Sequence, residues 1–124
     1  MFSRFYDLFK SENDELRKKG EIIYLNEEPE NMNPQQIIAK VYGRVQGVAF
    51  RYSTEVLASE MAVAGIVRNE SDGTVYVEAT APKEVMDEFI DRLALGPSPK
   101  ARVEKVEITY TSGLTKYKSF STVR

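Results

Sequence analysis

An Asp-Gly pair at Asp72 and Gly73 lies between two β-rich runs, GIVRNES and TVYVEAT, and ties the middle of the chain to a tight antiparallel hairpin. The remaining elements have to be arranged around it. Before the hairpin, residues 36–42 (QIIAKVY) read as a strand, residues 43–47 as a loop, and residues 48–63 as a helix. After it, Pro82 suits the first turn of a helix whose apolar face carries Val85, Met86, Phe89, Ile90 and Leu93, and Gly96-Pro97 ends that helix. Val103, Val106, Ile108 and Tyr110 mark a further strand, and residues 119–123 a short last one. The order β-α-β-β-α-β describes an α+β fold, a split βαβ sandwich with two helices on one face of an antiparallel sheet.

The first 35 residues stand apart. Phe2, Phe5, Tyr6, Phe9 and Leu16 form one stripe of a helix over residues 2–19, with Asp14 to Lys18 and Glu15 to Lys19 at stabilising spacing and Gly20 as its stop. Residues 21–25 read as a short strand that covers or extends a sheet edge, and residues 26–34 as an acidic connector. Residues 1–35 hold five basic and eight acidic side chains, whereas the rest holds twelve and eleven. We therefore divide the chain into an N-terminal extension, 1–35, and a domain, 36–124. The aromatic stripe has three uses, ranked in this order: docking on its own domain, joining two copies as a homo-dimer through residues 1–25, or lying on a membrane. Its mixed, net acidic remainder lacks the basic face suited to anionic lipid, so no membrane partner is expected.

A chain of 124 residues with 42% hydrophobic content suits a single core and a single site. The absence of cysteine and histidine removes thiolate nucleophiles, Ser-His-Asp arrangements and the common zinc sites, and fits a reducing, cytoplasmic setting. A net charge of −2 argues against nucleic acid as a partner. The run TVYVEA also lacks the aromatic, Lys/Arg-Gly-Phe pattern of RNA-binding sheets.

Chemistry is concentrated in two places. The segment Gly43-Arg44-Val45-Gln46-Gly47-Val48-Ala49-Phe50-Arg51 spans a strand end, two glycines and a helix start. Such a junction offers backbone amides and a positive helix end to an anion, and Arg51 adds a bidentate fork. The same spacing also serves as an ordinary tight connection, and it is not a Walker A loop, having its glycines one residue too close and no Lys-Ser or Lys-Thr after them. The second place is Asn69, late in the next strand. Its carboxamide can accept from a water while donating to a phosphoryl oxygen, or it can simply bond its own turn.

Together VYGRVQGVAFR and GIVRNESDGTVYVEA resemble the acylphosphatase family, over residues 36–124. The resemblance implies a ferredoxin-like fold and a hydrolase that splits acyl phosphates, such as acetyl, carbamoyl or glyceroyl phosphate, into a carboxylate and inorganic phosphate without metal or cofactor. It implies that the phosphate-binding loop is made of Gln46, Gly47, Val48, Ala49, Phe50 and Arg51 through their amides and the Arg51 guanidinium, and that Asn69 positions the attacking water. The chemistry agrees, because a carboxylate whose parent acid has a pKa near ~4 leaves without a general acid. Ala49 and Ile66 stand where many members carry larger aromatic residues, and are expected to shape the pocket wall. Arg44 and Arg68 read as solvated surface residues, and Tyr42, Phe50 and Tyr52 as packing or surface rings. Residues 1–31 are expected to be dispensable for catalysis. The competing reading is a noncatalytic anion-binding or regulatory module of the same fold that recruits a partner through its N-terminal extension.

Overall fold

The computed structural model describes residues 18–124. The helix expected over residues 2–19 lies outside them, apart from Lys18 and Lys19, which are not helical. The described elements are β1 (Glu21–Tyr24), β2 (Gln35–Arg44), α1 (Phe50–Glu60), β3 (Ala64–Asn69), β4 (Val75–Ala81), α2 (Lys83–Leu95), β5 (Arg102–Thr111) and β6 (Phe120–Thr122). They form one six-stranded sheet in the order β1-β5-β2-β4-β3-β6.

The four central strands are antiparallel neighbours, as expected of a split βαβ sandwich. β4 separates β2 from β3 and β2 separates β4 from β5, so each helix crosses over one intervening strand. The two rims differ from an all-antiparallel sheet, because β1 pairs with β5 and β6 with β3 in parallel. Strict alternation places Ile37, Ala39 and Val41 of β2 in the core, where Val75, Val77 and Ala79 of β4 and Val106 and Ile108 of β5 join them. Phe50 and Leu57 of α1 and Phe89, Ile90 and Leu93 of α2 close over this single face.

Both ends of the first βα unit depart from the expected bounds for identifiable reasons. β2 continues past Tyr42 to Arg44 across a register shift at Gly43. A Cβ on Gly43, where φ is 130°, would lie 2.2 Å from the Arg102 carbonyl oxygen, so only glycine lets the strand bulge here. α1 begins two residues later than expected because Ala49 is left-handed, with φ 62°. It ends at Glu60, where Val63 N donates to Ala58 O at 2.8 Å and Ala62 holds φ 59°. This is a Schellman ending with alanine in the seat glycine usually fills, so no residue type announced it.

Residues 18–35 are fastened to the sheet. Gly20 N donates to Ala94 O at 2.8 Å and Leu25 N to Ile108 O at 2.8 Å. Where β1 stops, the Asn26 side chain takes over its role, donating to Tyr110 O and accepting from Tyr110 N, each at 2.9 Å. Lys83 at the start of α2 pairs with Glu28 at 2.7 Å and Asp87 at 3.1 Å.

The hairpin closes through Glu70 N to Thr74 O at 2.9 Å, which leaves three residues in the turn instead of two. Asp72 Oδ1 accepts from Thr74 N at 3.0 Å and from Thr74 Oγ1 at 2.5 Å, and Asp72 Oδ2 pairs with Lys40 at 2.9 Å. The Thr74 hydroxyl, then Lys40 and the Thr74 amide, hold the Asp72 carboxyl well below the usual carboxylate range. A depressed native pKa contributes stability that is complete above the unfolded value, near ~3.9, and is lost as pH falls through the native value. Asp72→Asn is therefore expected to lower the urea midpoint at pH 7, and its deficit against the unsubstituted protein should shrink as pH is taken below ~4. A deficit that stays constant down to pH 2 contradicts this account.

Candidate active site

Residues 45–49 carry the chain from the end of β2 into α1, and their conformation leaves the positive end of that helix open. Ala49 is the N-cap residue, has no side chain to cap with, and no acidic residue stands in the first turn. The first amides of a helix have no partner inside it, so they and the helix dipole face outward as a site for negative charge. Gly47, with φ 73° and open space around its Cα, supplies the second left-handed step of the loop.

A cavity of about 340 Å³ opens at this helix end. Gly47, Ala49, Phe50 and Arg51 line it from the loop and helix, and Asn69 lines it from the end of β3. The structure thus joins two segments that the sequence separates by 18 residues, since α1 carries the chain back to the far end of the sheet and β3 then runs parallel to β2, with β4 between them, to bring Asn69 to the same edge. Among the described residues the Arg51 guanidinium has no carboxylate partner, and it lines the cavity. Asn69 Oδ1 is buried without a hydrogen-bond partner among them. The turn that Asn69 could have served closes without it, through Glu70, Gly73, Thr74 and Asp72.

Not every residue of the expected loop faces the cavity. The Gln46 side chain turns to the hairpin, where Nε2 donates to Glu70 O and Thr74 O, both at 2.8 Å. Val48 packs against the core. Neither side chain lines the cavity, so a contribution from either residue would come from its backbone. Of the two positions expected to shape the wall, Ala49 does line it. Ile66 does not: period-two alternation puts it with Arg68 on the open face of the sheet, opposite Val67 and Asn69, where it is paired with Glu78.

The rings and Arg44 match their expected packing and surface readings, whereas Arg68 is half-buried and engaged, not a solvated surface residue. Arg68 donates to Glu70 at 2.9 Å and lies 4.0 Å over the Tyr76 ring, and Arg44 is exposed. The bond to Glu70 raises the Arg68 pKa, which keeps its charge engaged on the open face. Phe50 is buried, Tyr42 donates to Glu107 at 2.8 Å, and Tyr52 is exposed at the cavity rim. The cavity is also lined by Val45, Glu55 and Thr122, which sequence reasoning missed. Glu55 was within reach, lying four residues after Arg51 on the same helix face. Thr122 arrives through the long-range pairing of β6 with β3 and left no local signal.

The family model and the similar curated proteins agree on one family. The family model described as acylphosphatase matches residues 37–122. An acylphosphatase of Enterococcus faecalis is 40% identical over 90 residues, covering 73% of this chain and 99% of that protein. One of Pediococcus pentosaceus is 50% identical over 66 residues, covering 53% of this chain and 73% of that protein. Among solved structures, the acylphosphatase from Bacillus subtilis superposes with a TM-score of 0.69 at 34% identity, covering 73% of this chain and 99% of its own.

The two bonds from Gln46 set the loop against the hairpin that carries Asn69. Gln46→Ala removes both, and should cost about 1–2 kcal/mol in chemical denaturation while weakening inorganic phosphate binding through a looser loop. Unchanged stability and affinity would show that these bonds do not position the site.

Proposed function

This chain belongs to the acylphosphatase family and hydrolyses acyl phosphates, and from that premise we propose how its own residues do so. The phosphoryl group sits at the open end of α1, held by the amides of residues 46–51 and by the Arg51 fork. Asn69 orients the attacking water, accepting its hydrogen bond at Oδ1 and presenting its amide to a phosphoryl oxygen. The observation that carries this reading is the convergence on one cavity of an Arg51 unpaired among the described residues, a buried Asn69 Oδ1 without a partner among them and a helix end with no side-chain cap.

In the reaction, a water oxygen forms a bond to phosphorus as the bond from phosphorus to the acyl oxygen breaks. The electron pair of that bond leaves with the carboxylate, and the proton of the water passes to the phosphate and solvent. Negative charge spreads over the equatorial oxygens of a loose transition state, where fixed amides and a guanidinium stabilise it without reorganising. A carboxylate leaving group needs no proton, which suits a site whose residues include no histidine.

We also place this activity in domain 36–124, with residues 1–31 dispensable for it, since every proposed contact comes from the loop after β2, from α1 and from β3. A cytoplasmic setting suits a chain without cysteine. No described helix is long and apolar enough to cross a membrane.

With benzoyl phosphate as substrate and EDTA present, Arg51→Ala is expected to lose phosphate binding and turnover together. Asn69→Ala should keep most of its phosphate affinity while kcat falls by about a hundredfold or more. An Asn69→Ala enzyme with near-normal kcat would remove Asn69 from the reaction. Phosphate binding without turnover by the folded, unsubstituted protein would favour a noncatalytic anion-binding module.

A further inference from the structure

Arg51 and Glu55 stand four residues apart on α1 and line the same cavity, the spacing at which opposite charges on a helix attract. A carboxylate this close to the phosphate-binding guanidinium would compete with substrate for it. Yet Glu55 is bonded elsewhere: its Oε1 accepts from Thr122 N at 3.1 Å and from Thr122 Oγ1 at 2.7 Å.

The last strand makes this arrangement available. β6 is a rim strand, paired on one side only. Val123 N donates inward to Val67 O at 2.9 Å, so the amide of the preceding residue, Thr122, faces the unpaired rim. There Glu55 satisfies it, and the Thr122 hydroxyl adds a second bond to the same oxygen. Two hydrogen bonds to a charged acceptor outweigh one solvated ion pair at four-residue spacing, so the carboxylate stays with β6.

We propose that Glu55 and Thr122 are positioning residues: β6 holds the Glu55 carboxylate away from Arg51 and so keeps the guanidinium fork open for the phosphoryl group. The proposal rests on the reading of Arg51 as the phosphate ligand. β6 then supports both halves of the site, since it pairs with β3, which carries Asn69, and restrains the acidic neighbour of Arg51 on α1.

The test is a double-substitution cycle on the full chain, with inorganic phosphate binding followed by calorimetry and KM measured for benzoyl phosphate. Thr122→Val keeps shape and backbone while removing the stronger bond. It should weaken phosphate binding and raise KM by about twofold or more, as a carboxylate now held by the backbone amide alone engages Arg51. Glu55→Gln keeps an acceptor for Thr122 but offers Arg51 no charge, so adding Thr122→Val to Glu55→Gln should change neither quantity. Circular dichroism checks that each variant is folded. A Thr122→Val effect that is absent from both backgrounds, or equal in both, overturns the proposal, the second case marking Thr122 as merely structural. An Arg51→Ala control that binds phosphate normally overturns the reading of Arg51 and this proposal with it. A normal loss in that control beside an unchanged Thr122→Val overturns the proposal alone.

Discussion

The open amide end of α1 is the feature on which the site depends. Ala49 enters the helix from a left-handed conformation and brings no capping side chain, and the first turn holds no carboxylate. These choices forgo stabilisation that an N-cap would bring, of the order of ~1 kcal/mol. They leave amides and a helix dipole directed into a cavity where Arg51 already supplies a full positive charge. Such an end is satisfied by water or, better, by an anion.

The sheet supplies the remaining precision. β2 and β3 run parallel on either side of β4, so the loop after β2 and the end of β3 meet at the same edge, where Arg51 and Asn69 face each other across the cavity. Gln46 ties the loop to the hairpin that follows Asn69, and Thr122 ties α1 to the rim beside β3. The neutral carboxamide of Asn69 is suited to this place, because it can orient water beside a phosphoryl group without adding a negative charge. Glu55, which does carry a carboxylate, is restrained by two bonds to the last strand.

The central fold was legible because its signals are local. Asp72-Gly73, the apolar stripe of α2 and the alternation in β2 each specify an element within a few residues, and the order of elements then limits the topology to a split βαβ sandwich. The two motifs also marked Arg51 and Asn69, which the fold brings to one cavity. What escaped was non-local or chemically silent. β1 and β6 were legible as short strands, β1 at a sheet edge, but their parallel pairing arises across many residues, and the end of α1 rests on Ala62 where a glycine would have been noticed. The loop reading rests on backbone amides and says nothing of the Gln46 side chain, whose two carbonyl partners lie beyond β3. Ile66 was placed on the pocket wall although counting by twos from Asn69 already puts it on the other face. The helix expected over residues 2–19 falls outside the described residues.

Titration of the isotopically labelled full chain with inorganic phosphate, followed by nuclear magnetic resonance, tests the central claim most directly. If the open end of α1 is the phosphoryl site, the backbone amides of Gly47, Ala49, Phe50 and Arg51 and the side-chain amide of Asn69 shift together along one saturable curve. Shifts confined to another surface, such as the second cavity lined by Glu28, Gln35 and Lys83 at the opposite end of β2, would contradict it.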